Sequence, residues 1–182
     1  YSRWRQDVEE WLDAINDKIN SVTATMKQIS LVIEKIRRLG PAPSPGALAV
    51  AKGLNWLRNS QRADGSWEGC LGITALATLT FLNQGYGEND QTVKRAVKFI
   101  LSKVREDGSI YTHKKTYETA LAIIVLVATK NSSYQVIIDK AVKWLLNTQW
   151  DEDCAFGSVS KDNWYYGGWG YGDGQRPALS NT

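Results

Sequence analysis

Lys52-Gly53-Leu54-Asn55-Trp56-Leu57, then Gln61 and Asp64-Gly65-Ser66-Trp67, is the stretch whose reading decides the fold. It is a helix end followed by a turn, and it recurs. Aligning Trp56 with Phe99 and Trp144 gives offsets of 43 and 45 residues, with Lys52-Gly53, Arg95-Ala96 and Lys140-Ala141 ahead and Leu57, Ile100 and Leu145 behind. A period in this range means stacked supersecondary units. The turn reads Asp64-Gly65-Ser66 in one unit and Asp107-Gly108-Ser109 in the next, chemistry that ends a helix and reverses the chain. Each turn leads into an apolar segment with Thr-Ala-Leu-Ala, at Thr74 and at Thr119. A helix apolar nearly all round belongs inside, whereas the Lys- and Asn-bearing helix before it can face water. The expectation is an all-α chain of outer amphipathic and inner apolar helices.

The pattern of residues 52–67, Lys-Gly-x-x-Trp-Leu-x-x-x-Gln-x-x-x-Gly-x-Trp, closely resembles the Gln-Trp repeat of the squalene-hopene cyclase and protein prenyltransferase superfamily. The second copy has Val104 and Ile110 where Gln and Trp stood; the third keeps Gln149 and inserts residues before Gly168-Trp169. The resemblance covers residues 47–182 and implies a partial terpenoid cyclase-like α/α toroid with inner and outer helix rings. Gln61, Trp67 and Gln149 read as structural repeat residues: a Gln amide can satisfy orphan groups at helix ends, and the indole stacks over the turn. A repeat identifies a scaffold, not a reaction.

Chemistry has to be sought where the resemblance places it. Cyclases of this superfamily protonate an alkene with an Asp-x-Asp-Asp-Thr motif, commonly after Pro. Here Arg176-Pro177 is followed by Ala178-Leu179-Ser180-Asn181-Thr182. Neither a Ser hydroxyl nor an Asn amide replaces so strong an acid. No catalytic residue is therefore assigned. The prenyltransferases hold zinc with an Asp-x-Cys pair and a distant His. The nearest text is Glu152-Asp153-Cys154, with the single His of the chain, His113, upstream. These residues could meet around zinc, or form a solvated acidic loop beside an unrelated His; the expectation is no metal and no cofactor. An Asp-Asp-x-x-Asp motif for diphosphate and magnesium is absent. Residues 164–171 offer a candidate aromatic pocket of Trp164, Tyr165, Tyr166, Trp169 and Tyr171, suited to an isoprenoid or lipid ligand. The alternative is an expanded repeat turn that buries its rings against helices.

Residues 1–40 carry a different period. Leu12, Ile15, Ile19, Val22, Met26, Ile29, Ile33 and Ile36 alternate by three and four, a heptad seam extended backwards by Val8. Leu12, Ile19, Met26 and Ile33 are a positions; Val8, Ile15, Val22, Ile29 and Ile36 are d positions. β-Branched residues at d favour trimers or tetramers, and apolar Trp4, Trp11 and Val32 at g widen the stripe. The expectation is a coiled-coil oligomerisation helix in a homo-oligomer, or a helix packed on a partner or on its own chain. Residues 41–46 read as a Pro-rich, extended spacer.

Composition sets bounds. The chain has 182 residues, 43% of them hydrophobic, enough for one small core plus an appended helix. Its net charge of +3 is spread evenly, so no nucleic-acid partner is indicated. Ala120–Ala128, the longest apolar run, is too short to span a bilayer, and the N-terminus is no signal peptide. Two cysteines do not make a disulfide scaffold, which favours the cytoplasm. Tyr1 in place of Met points to processing or a boundary, and the repeats supply about two and a half helix hairpins. A fragment, or a module completed by oligomerisation, is expected. The leading functional expectation is a non-catalytic scaffold or binding module. A piece of an isoprenoid cyclase or prenyltransferase, and an isoprenoid-binding protein without chemistry, are the alternatives.

Overall fold

The computed structural model describes residues 2–39, 44–172 and 174–178. Gly40 and the Pro41-Ala42-Pro43 part of the expected spacer lie outside them, as does the Leu179-Ser180-Asn181-Thr182 part of the acid frame. Within the first helix the side chains of Trp4, Val8 and Trp11 are also outside the description.

The described residues make only helices as named elements. They form α1 (Ser2–Leu39), α2 (Pro45–Ser60), α3 (Leu71–Asn83), α4 (Gln91–Leu101), α5 (Lys115–Ala128) and α6 (Gln135–Asn147), with a 3₁₀ turn at Ser132–Tyr134. The chain divides into two compact units, Tyr1–Ala49 and Val50–Thr182.

In the first unit, α1 runs for 38 residues. Its seam is exposed: Leu12 at 49%, Ile19 at 55%, Val22 at 62%, Met26 at 58%, Ile29 at 47%, Ile33 at 44% and Ile36 at 59%, with Ile15 half-buried. Polar Thr23, Thr25 and Ser30 turn their hydroxyls back to carbonyls one turn earlier, at Ile19, Ser21 and Met26, as helical Ser and Thr do. The C-terminal end of the expected spacer is helical. Ser44 caps α2, its Oγ accepting from the Ala47 amide at 3.2 Å, and Pro45 takes the first helical position, where a missing N–H costs nothing.

In the second unit, α3 packs on α4 and α5, and α5 packs on α6. Phe81, Leu71, Ile100, Ile110 and Leu126 are fully buried, and each stabilises the fold by about 1.5–3 kcal/mol. Trp67 stacks on Phe81 at 6.3 Å between centroids, and Tyr86 meets the same ring edge-on at 5.7 Å. Asp90 caps α4 by accepting from the amides of Thr92 and Val93. Arg58 from the end of α2 reaches Asp90 at 2.8 Å and Thr92 Oγ1 at 3.2 Å, its guanidinium 5.4 Å from the Phe81 centroid.

The repeat is visible atom by atom at the turns. Asp64 Oδ1 accepts from the Ser66 amide and hydroxyl at 3.0 and 2.7 Å; Asp107 Oδ1 accepts from those of Ser109 at 2.9 and 2.6 Å. These bonds hold the Asp64 carboxyl below its ordinary pKa. At Asp107, burial pushes the pKa up, but bonds from Ser109 and Trp144 and the nearby Arg105 charge outweigh it. Gly65 has φ 89° and Gly108 φ 93°, the left-handed region. A Cβ at Gly65 would stand 2.3 Å from the Arg95 carbonyl oxygen of α4, and one at Gly108 2.6 Å from that of Lys140 in α6. Each turn therefore docks on the next outer helix, and Gly is the residue that permits the approach. Thr74 and Thr119 do the complementary work on the inner helices: their Oγ1 atoms accept from the buried amides of Trp67 and Ile110, both at 3.0 Å.

Candidate functional site

The inner helices were expected to lie on the inside of the repeat. In the structure each keeps one apolar face open. On α3, Leu71, Ala75, Thr78 and Phe81 are buried while Ile73 and Leu76 are 46% and 49% exposed. On α5, Ala122, Val125 and Leu126 are buried while Ile124 and Val127 are 51% and 55% exposed. Mean hydropathy alone cannot tell an apolar face that meets the core from one that lines an open surface.

Beside α5 the open face deepens into a cavity of about 330 Å³, lined by Thr116, Tyr117, Ala120, Leu121 and Ile124, by Leu145 of α6 and by Trp169. Its wall is apolar except for the Thr116 hydroxyl and the polar edges of Tyr117 and Trp169.

The aromatic run is divided rather than gathered. Trp169 is on the cavity wall, and Tyr171 packs against Tyr117 at 6.2 Å, with Lys114 Nζ 5.5 Å from its ring. Trp164 is 82% exposed and packs on Tyr165 at 4.2 Å, which in turn meets Trp150 at 5.9 Å. Tyr166 donates its hydroxyl to Glu152 at 2.8 Å. That bond lowers the Glu152 pKa and raises that of Tyr166.

Gln61 and Gln149 occupy corresponding places. Gln61 Nε2 donates to the Gly65 and Thr92 carbonyls, both at 2.9 Å, and its Oε1 accepts from Arg95 at 2.6 Å. Gln149 Nε2 donates to the Gly167 carbonyl at 2.8 Å. The indoles correspond as well: Trp67 Nε1 donates to Leu57 O, and Trp169 Nε1 to Leu145 O, both at 2.9 Å. The insertion before Trp169 is thus looped out while the Gln-to-Gly and indole-to-carbonyl bonds are kept.

His113 does not meet Cys154, which is buried elsewhere, nor Glu152, which faces Tyr166 and Lys161. It stands with two residues the sequence reading missed, Cys70 and Glu118, their ligand atoms all within 4.8 Å of one another. Cys70 precedes α3, and Glu118 lies in the first turn of α5. Glu118 is 1% exposed. Its Oε2 accepts from the Thr112 amide, from Thr112 Oγ1 at 2.9 Å and from the His113 amide at 3.1 Å. Its Oε1 faces Cys70 Sγ at 3.7 Å and His113 Nδ1 at 4.0 Å. Gly72 lies beside the cluster, where a Cβ would make ordinary van der Waals contact with Tyr117, Glu118 and Cys70 at 3.5–3.9 Å. The signal in the sequence was a carboxylate directly before Thr119, in an otherwise apolar inner helix.

No described helix is long and apolar enough to cross a membrane. Comparison with known proteins gives no matching solved structure. Lanosterol synthase erg7A of Aspergillus fumigatus is 30% identical over 122 residues, which covers 56% of this chain and 16% of that enzyme. The chain thus spans a small part of the curated relative it matches. The family model for the squalene-hopene cyclase C-terminal domain matches residues 69–177, from the turn before α3 through the looped-out third repeat. With these residues making up most of the repeat unit, the chain belongs to the squalene-hopene cyclase C-terminal domain family.

Proposed function

We propose that this chain is a non-catalytic repeat module of the cyclase family, assembled by α1 into a homo-oligomeric scaffold that presents apolar binding surfaces. The observation that carries this reading is the seam of α1. Every a and d position from Leu12 to Ile36 is hydrophobic and, apart from half-buried Ile15, exposed, a stripe that copies of the same helix would cover. The β-branched d positions favour three or four strands. In the repeat unit Gln61, Trp67 and Gln149 act as structural staples. Ala178, at the first acid position of the frame, supports the lack of a proton donor. Cys70 and Cys154, both free thiols, fit a reducing cytoplasm.

The cavity against Trp169 favours a second reading, an isoprenoid or other lipid bound without chemistry. Its volume of about 330 Å³ and its apolar lining suit part of a hydrocarbon chain. A piece of a larger cyclase, with the acids encoded beyond Thr182, is the enzyme-class reading that the lanosterol synthase relative keeps open. Native mass spectrometry of the purified chain separates them. A ligand-free trimer or tetramer supports the scaffold, and a monomer carrying an isoprenoid mass overturns it in favour of the cavity. Cyclisation of squalene or oxidosqualene by the chain would contradict the non-catalytic assignment.

A further inference from the structure

The Cys70, His113 and Glu118 side chains do not line the cavity, and their placement is specific. Thiolate, imidazole and carboxylate are the three donor types that zinc prefers, and three protein donors with a fourth position open is a common zinc arrangement. We propose that Cys70 Sγ, a His113 ring nitrogen and Glu118 Oε1 form a binding site for a zinc-class divalent cation at the N-terminal ends of α3 and α5.

The argument starts from Glu118. A carboxylate 1% exposed is costly to bury unless its charge is compensated. One of its oxygens is provided for by the three donors from Thr112 and His113, a shell that fixes the orientation of the carboxylate. The other oxygen is turned towards Cys70 and His113: it accepts a weak hydrogen bond from the thiol at 3.7 Å, and the ring nitrogen at 4.0 Å is beyond hydrogen-bond length. Tetrahedral zinc with ordinary bond lengths separates its ligand atoms by about 3.3–3.6 Å. The Sγ to Oε1 distance of 3.7 Å is just above that range. The remaining contraction falls to His113, whose side chain is 68% exposed and would turn inward by giving up the 3.0 Å contact of its Nδ1 with Thr112 Oγ1. Cys70 has no capping bond to α3 that metal binding would break. A donor set with a soft sulfur and a nitrogen excludes magnesium and calcium, which take oxygen. The exposed His113 edge leaves room for water or another small donor in the fourth position.

The test is titration of the full-length reduced chain with Co²⁺ as a spectroscopic stand-in, followed by displacement with Zn²⁺. The expected result is equimolar binding, with a thiolate-to-cobalt charge-transfer band that survives Cys154→Ser and vanishes in Cys70→Ser. His113→Ala, a change at an exposed side chain, should weaken binding by about 100-fold or more, beyond the usual effect of losing an outer-shell partner. Glu118→Gln should do the same. Should that buried substitution fail to fold by circular dichroism, the Cys70 and His113 variants decide alone. No sulfur band, a band lost with Cys154 instead of Cys70, or Co²⁺ affinity unchanged in His113→Ala would each overturn the proposal, leaving a thiol hydrogen-bonded to a buried carboxylate.

Discussion

Replacing Gln61 by Ala tests the staple role most cleanly, because the structure specifies each bond that is lost. The Gly65 and Thr92 carbonyls lose a donor at 2.9 Å, and Arg95 loses its acceptor at 2.6 Å. Arg95 is exposed and can turn to water, so its share is small. The two carbonyl bonds connect the end of α2 to its own turn and to the first turn of α4. At about 0.5–1.5 kcal/mol each, they give a loss of about 1–3 kcal/mol. Gln149→Ala removes one such bond, to Gly167, and should cost about 0.5–1.5 kcal/mol. Gln61→Glu sharpens the comparison. It keeps the shape but sets a carboxylate oxygen against two carbonyl oxygens, so it should destabilise at least as much as Ala. Urea unfolding followed by tryptophan fluorescence, with the slope checked for constancy, measures all three. A Gln61→Ala midpoint equal to the parent, or a smaller loss than in Gln149→Ala, would refute the role assigned to Gln61.

The turn glycines make a second prediction. Gly65→Ala and Gly108→Ala combine positive φ with a Cβ inside the contact distance of a backbone oxygen, whereas Gly85, with φ 83°, has nothing within 4 Å. Thermal unfolding should show Gly85→Ala costing about 1–2 kcal/mol and the other two clearly more; equal losses would mean the turns do not dock tightly. Thr74→Val and Thr119→Val each leave a buried amide unpaired, and a loss of about 1–3 kcal/mol is expected; urea midpoints matching the parent would contradict this. The folded state depresses the Asp107 pKa, so the stability this group adds is present above its unfolded value and is lost as pH falls through the folded one. Acid titration below about pH 4 should therefore destabilise the parent more steeply than Asp107→Asn, and parallel curves would refute it.

What the sequence disclosed depended on range. The three-and-four spacing from Leu12 to Ile36 and the twin Asp-Gly-Ser turns are local signals, and both lie where the reading put helices and helix-ending turns. The start of α2 was also written, since Ser44-Pro45 is a cap followed by a first-turn proline; the Pro-rich context hid it. The aromatic run from Trp164 to Tyr171 gave composition without direction. Only the backbone sends Trp169 to the cavity and Tyr166 to Glu152. Cys70 and Glu118 were invisible as a pair because they are 48 residues apart and meet through the packing of α3 on α5. Which residues of those two helices stay open was hidden for a related reason: Ile73 and Ile124 are as apolar as the buried Leu71 and Leu126.

The central claim is that the α1 seam joins copies of this chain, and sedimentation equilibrium measures it directly. The parent should sediment as a trimer or tetramer, and a variant carrying Ile19→Glu, Val22→Glu and Ile29→Glu, all now exposed, should sediment as a monomer with its repeat helices intact by circular dichroism. A monomeric parent, or the same mass before and after these substitutions, would contradict the account.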